Sequence, residues 1–99
     1  DAYLVNKGME AEKYALVLAR SLRLEQLSIH LDNSGSAFSK QFKRAARSGA
    51  EWFIILGDDE MQNQVVRLKK LDNSSNNEEE NLTFSLSDLS ALIKVLKRK

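Results

Sequence analysis

The stretch that most constrains the fold is GAEWFIILGDDE, Gly49 to Glu60. Trp52, Phe53, Ile54, Ile55 and Leu56 follow one another with no polar interruption. A strand with one wet face alternates polar and apolar residues. An unbroken apolar run between turn residues is the pattern of a strand covered on both faces. The run is too short for a buried helix, and its aromatic and β-branched content favours strand. Trp52–Leu56 is therefore expected in the middle of a sheet sandwiched by helices. In open sheets of this kind, ligands gather beyond the carboxyl ends of the strands. Here that place is Gly57-Asp58-Asp59-Glu60.

The flanking segments build the rest of that sheet. Ala2-Tyr3-Leu4-Val5 reads as a short buried strand ending at Asn6-Lys7-Gly8. A helix follows from Met9, with Ala11, Tyr14, Ala15, Leu18, Ala19 and Leu22 along one face. Its acids Glu10 and Glu12 come early and its bases Arg20 and Arg23 late, as the helix dipole favours. Leu27–Leu31 is a second strand, with Leu27, Ile29 and Leu31 on one side, and Asp32-Asn33-Ser34-Gly35 is a turn. A second helix spans Ser36–Ser48, with an apolar stripe of Phe38, Phe42, Ala45 and Ala46 and a stop at Gly49.

After the central strand, Val65–Leu71 reads as a fourth strand, with Val66 and Leu68 facing one way and Arg67 and Lys69 the other. The link from Leu56 is too short for a helical crossover, so this strand should run antiparallel to the third. Asp72–Asn81, DNSSNNEEEN, is a polar loop. Leu82, Phe84 and Leu86 alternate with Thr83 and Ser85, as in an edge strand. Ser87 then caps a last helix that buries Leu89, Leu92, Ile93 and Leu96 and carries Lys94, Lys97, Arg98 and Lys99 toward its end. The order β-α-β-α-β-β-β-α predicts a five-stranded mixed sheet with helices on both faces.

The chain has 99 residues, enough for one modest core. The start at Asp1, directly in a strand, leads to the expectation of a domain cut from a longer protein. Net charge is +1, so any nucleic-acid surface must come from local segregation of charge. The absence of cysteine removes disulfides and thiolate metal sites and makes a cytoplasmic setting the default. No apolar run has the length of a membrane span.

Catalytic and cofactor motifs are lacking. The first strand-to-helix turn, Asn6-Lys7-Gly8-Met9-Glu10, has neither G-x-G-x-x-G nor the Walker A pattern. One histidine and no cysteine cannot make a Cys/His zinc site or a Cys-His pair, and His30 reads as a partly exposed strand residue. The serines Ser34, Ser36 and Ser39 sit in no nucleophile elbow. Asp58 and Asp59 read as a solvated turn. Glu60 precedes a strand bearing Arg67 and Lys69 and is the more informative acid. No catalytic residue, metal site or cofactor is assigned.

The most polarised element is the second helix. Lys40, Lys43, Arg44 and Arg47 share one face, with no acid among them. An exposed helix is usually laced with opposite charges; an uncompensated basic face suits a phosphate backbone.

These residues also resemble a known family. Ser39-Lys40-Gln41-Phe42-Lys43-Arg44-Ala45, then Gly49-Ala50, then Ile54-Ile55-Leu56-Gly57-Asp58-Asp59-Glu60 are similar to the C-terminal anticodon-binding domain of histidyl-tRNA synthetase. Such domains read K-Q-F-x-x-A, G-A and I-L-G-x-x-E, followed by Asn and a Lys-rich strand. Asn63 and Lys69-Lys70-Leu71 continue the match. The G-x-x-E turn is shared with the threonyl, prolyl and glycyl enzymes, whereas K-Q-F points to the histidine enzyme. Asn63-Gln64 departs from the family's frequent Asn-Gly, and the DNSSNNEEEN loop is longer than usual.

The resemblance implies a three-layer α/β/α fold. Its five-stranded mixed sheet has order 2-1-3-4-5, strand 4 antiparallel, and three helices, and a single domain occupies residues 1–99. It implies that the chain holds the anticodon loop of tRNA(His) while a separate catalytic domain, using ATP and Mg2+, joins histidine to the tRNA. The parent would be homodimeric, and this domain would hold no cofactor of its own. Glu60 then accepts from the Watson–Crick edge of a splayed guanine, and Arg67 and Lys69 lie on the neighbouring strand. Lys40, Lys43, Arg44 and Arg47 supply diffuse attraction, an assignment from charge alone. The alternative is a synthetase-like regulatory or dimerisation domain that does not bind tRNA. A flavodoxin-like ligand-binding domain is disfavoured by the missing phosphate loop.

Overall fold

The computed structural model describes residues 2–70 and 81–97. The elements are β1 (Ala2–Asn6), α1 (Met9–Leu24), β2 (Ile29–Leu31), α2 (Phe38–Ser48), β3 (Trp52–Leu56), α3 (Asp58–Asn63), β4 (Val65–Lys70), β5 (Asn81–Ser85) and α4 (Ser90–Lys97). The strands form one sheet of order β2-β1-β3-β4-β5. β1 runs parallel to β2 and β3, and β4 runs antiparallel to β3 and β5. The unbroken apolar run of β3 thus occupies the central strand, as its pattern requires.

The two faces of the sheet are covered unequally. On one, Leu4, Ile54, Leu56, Val66 and Leu68 pack against Ala11, Ala15, Leu18, Ala19 and Leu22 of α1 and Leu92 and Leu96 of α4. Alanines at i, i+4 and i+8 let α1 lie close to the strands. On the other, a smaller cluster joins Tyr3, Val5 and Phe53 to Ala45 of α2, with Phe38, Phe42 and Ile55 half-buried beside it.

Several expectations need correction. The Asp58–Asn63 link is the short helix α3, not a turn, although Asp58 and Asp59 are solvated, so the described residues form four helices instead of three. Its Met61 packs against the α1 side of the core. Gln64 ends α3 at φ 54, taking the left-handed conformation that glycine would adopt more cheaply. Ser87 does not cap the last helix. Its N–H and hydroxyl pair with the Ser85 hydroxyl, while Asp88 Oδ1 accepts the Ser90 N–H before α4. In α2, Ala46 is exposed and Gln41 is fully buried. The second strand is shorter than expected, beginning at Ile29, although Leu27 is still buried. The polar loop at Asp72–Asn81 lies outside the described residues, except Asn81, which opens β5; so do Leu71, Arg98 and Lys99.

Candidate nucleic-acid interface

One helix cannot cover five strands. α2 packs against β1 and β3, and among the described residues Arg67, Thr83 and Ser85 on the same face of β4 and β5 are exposed. Antiparallel register decides what that open half presents. Ile55 pairs with Arg67, which pairs with Thr83, and Phe53 pairs with Lys69. Side chains of directly paired residues share a face. Val66 and Leu68 point into the core, so Arg67 and Lys69 are turned outward.

Where α2, β3, α3 and β4 meet, they enclose an open cavity of about 470 Å³. Phe38, Phe42 and Ile55 make its apolar lining; Asp59 and Glu60 line it from α3, and Arg67 and Lys69 from β4. The Phe38 and Phe42 rings lie 6.0 Å apart, and Phe42 rests 5.8 Å from Phe53, which fixes it to the sheet.

Glu60 is buried. It is 8% exposed. Its Oε1 accepts the Gly57 N–H at 2.7 Å, closing the first turn of α3. Its Oε2 lies 3.9 Å from Arg67 Nη1, on the cavity side. Gly57 has ordinary extended backbone, so the need for glycine is spatial. A Cβ there would fall 2.9 Å from Glu60 Oε1 and 3.0 Å from the Phe38 ring. The G-x-x-E spacing therefore sets the acid and one wall of the cavity together.

The anticodon binding domain family model matches residues 1–96. The chain belongs to the anticodon binding domain family. Curated relatives include the histidine–tRNA ligases of Synechococcus sp. (strain CC9902), 53% identical over 94% of this chain, and Parasynechococcus marenigrum (strain WH8102), 47% identical over 98%. The chain spans only 21% and 22% of those proteins. Among solved structures, histidyl-tRNA synthetase from Nostoc sp. PCC 7120 matches with TM-score 0.76 at 28% identity, covering 95% of this chain and 21% of that one. The apo Staphylococcus aureus enzyme matches with TM-score 0.75 at 29% identity, covering 98% and 26%.

Glu60, Arg67 and Lys69 line one cavity. The basic stripe is divided. Lys40, Lys43 and Arg47 are exposed on α2. Arg44, also exposed, reaches into a network beyond the ends of β1 and β2. Its Nη1 donates to Asp32 Oδ2 at 3.2 Å and to Ser34 Oγ at 2.8 Å, and its Nη2 donates to Ser36 Oγ. Its charge is therefore compensated, contrary to the sequence reading. Tyr3 also donates to Asp32, at 2.7 Å. Burial would raise the Asp32 carboxyl, but hydrogen bonds from Ser34, Tyr3 and Arg44 outweigh it and hold it at about 2. Burial first, and then the bond to Asp32, push the Tyr3 phenol up to about 12.

Gln41 explains the polar residue inside the α2 stripe. Its Oε1 accepts the Asn6 N–H at 2.8 Å, and its Nε2 donates to the carbonyls of Asn6 and Ser36, both at 2.7 Å. It pins α2 to the carboxyl end of β1 and so sets where Phe38 and Phe42 stand. The sequence pattern marks those two phenylalanines only as core and gives Ile55 and Asp59 no part in a cavity, whereas all four line it. A polar residue flanked by large apolar ones on a buried stripe was the available clue. His30 is exposed on β2 and stacks on Tyr3 at 4.7 Å. Among the described residues no group of three or more acids or histidines is placed to hold a metal ion. No helix among them is long and apolar enough to cross a membrane.

Proposed function

We propose that this chain is the anticodon-reading module of a histidine–tRNA ligase, and that the cavity between α2 and β4 takes an unstacked anticodon base. The observation that carries the reading is the convergence of two phenyl rings, two carboxylates and two cations on one open space of about 470 Å³. Small-molecule pockets commonly measure about 300–1,000 Å³. Single-stranded RNA is recognised by splaying bases out, stacking them on aromatic side chains and bonding their Watson–Crick edges. Here the phenylalanines offer the stacking surface. Glu60 offers Oε2 to a guanine N–H donor, and Asp59 adds a second carboxylate to the same wall. Arg67 and Lys69 suit a phosphate or a base acceptor, and Lys40, Lys43 and Arg47 strengthen attraction without reading sequence.

Under this proposal the module supports histidylation carried out elsewhere in the ligase. ATP and Mg2+ act in that separate catalytic domain, and none is assigned to residues here. A homodimeric, cytoplasmic parent belongs to the same proposal.

The test is a titration of the chain with a tRNA(His) anticodon stem-loop and with a loop carrying altered anticodon bases. The matched loop should bind more tightly, and Glu60→Ala should narrow the difference. Equal affinity of the unaltered chain for both loops would overturn base reading by this cavity.

A further inference from the structure

The consecutive acids Asp58, Asp59 and Glu60 of α3 go to three different places. Asp58 Oδ1 crowds Gly8 at the start of α1 so closely that a Cβ on Gly8 would overlap it, and Asp58 has no part in the cavity lining. Glu60 commits Oε1 to the Gly57 N–H, which leaves Oε2 for the cavity. Asp59 is exposed and lines the cavity. Its carbonyl accepts from Asn63 Nδ2 at 2.9 Å, and among the described residues no hydrogen bond or ion pair holds its carboxylate. An acid in the first turn of a helix suits the dipole whichever way its side chain points. The place of Asp59 in the cavity wall is therefore more than helix chemistry requires.

We infer that Asp59 accepts the 2-amino group of a guanine whose N1–H goes to Glu60 Oε2, so that Asp59 selects guanine over bases lacking that group. This rests on the reading of the cavity as the seat of an anticodon base. The Watson–Crick edge of guanine presents, in order, the O6 acceptor, the N1–H donor and the 2-amino donor. Two donors side by side need two acceptors, and Glu60 has one oxygen to give. Arg67 Nη1 stands 3.9 Å from that oxygen, and among the described residues no ion pair joins Arg67 to Asp59. The wall thus offers a cation, an enclosed acceptor and an exposed acceptor. The Phe38 ring and Glu60 Oε1 flank one point at Gly57, 3.0 and 2.9 Å from where a Cβ would stand, so a base lying on the ring turns its edge toward the acids. N1–H, in the middle of that edge, meets the enclosed carboxylate, and the amino group at its corner reaches the exposed one. Uracil, adenine and cytosine each present a single donor group there. A carboxylate accepts and does not donate, so each of those bases leaves one acid without a partner.

The experiment titrates the chain and its variants with tRNA(His) anticodon stem-loops in which each anticodon guanine is replaced in turn by inosine. Inosine keeps O6 and N1–H and lacks only the 2-amino group. The unaltered chain should bind one of the inosine loops about tenfold more weakly than the guanine loop, the scale of one lost base contact. Asp59→Ala should erase that preference. Asp58→Ala removes the same charge one residue away and should keep it. The ratio of guanine to inosine affinity is the readout, because removing any acid also eases repulsion of the phosphates. Urea unfolding of the same samples shows that each variant is folded. Equal binding of guanine and inosine loops by the unaltered chain overturns the inference. So does a preference that survives Asp59→Ala, or one that Asp58→Ala abolishes equally. If Glu60→Ala still narrows the difference between matched and altered loops in those cases, the cavity reads a base without Asp59. Equal affinity of the unaltered chain for matched and altered loops overturns both readings.

Discussion

Glu60 Oε1 accepts the Gly57 N–H at 2.7 Å, while Glu60 Oε2 faces the Arg67 guanidinium at 3.9 Å. One carboxylate therefore caps a helix with one oxygen and serves the cavity with the other. Glu60→Gln keeps a carbonyl for Gly57 and puts an amide donor toward the cavity. Its stability should stay within about 1 kcal/mol of wild type because the cap survives. Its discrimination between matched and altered loops should fall about tenfold, the scale of one lost base contact. Glu60→Ala should lose the cap as well. Urea unfolding and stem-loop titration on the same samples separate the two roles.

Phe38 and Phe42 make the stacking surface, so Phe42→Leu keeps an apolar side chain and removes the ring. Such a swap should cost less than about 1.5 kcal/mol of stability. Loss of base stacking should weaken stem-loop binding by about 1–3 kcal/mol, for matched and altered loops alike. Unchanged affinity would show that no base lies on this ring.

Gln41 is fully buried and holds three backbone groups. Gln41→Leu would fill the space and leave the Asn6 N–H and the Asn6 and Ser36 carbonyls without that partner. Each buried unsatisfied group costs about 1–3 kcal/mol, so a loss of about 3 kcal/mol or more is expected in urea unfolding. Lys40→Ala, one residue away and exposed, should stay within about 0.5 kcal/mol.

Stability should fall at both ends of the pH range. The Asp32 carboxyl is depressed to about 2 from 3.8, so its contribution is present above pH 4 and lost as pH falls toward 2. The Tyr3 phenol is raised to about 12 from 10.0, so its contribution is present below pH 10 and lost as pH rises toward 12. Each shift corresponds to roughly 2–3 kcal/mol. Asp32→Asn should flatten the acid limb of a stability–pH curve obtained by denaturant titration.

Lys43 and Arg44 are neighbours in sequence and should behave differently. Lys43→Ala should weaken both loops equally and reduce the salt slope by about 0.7 per lost phosphate contact on a single strand. Arg44→Ala removes the cation beside a carboxylate whose side chain is 2% exposed, so it should destabilise the fold by about 1–3 kcal/mol. A salt titration of binding and a urea curve for each variant check the contrast.

The sequence by itself determined the layers. The apolar run of Trp52–Leu56 required a central strand, the periodicity of Ala11–Leu22 required a helix on it, and the short link after Leu56 required an antiparallel β4. These follow from local period and chain length, which any window of residues displays. Only the tertiary structure decided the site. Arg44 meets Asp32 across 12 positions, and Asn6 meets Gln41 across 35, so neither pairing has a local signature. Phe38 and Phe42 became the wall of a cavity because one helix covers only part of a five-stranded face, and which part stays open depends on the crossovers. Glu60 was legible as an acid beside cations. That one of its oxygens closes a helix turn became visible only once Asp58–Asn63 had folded against Gly57.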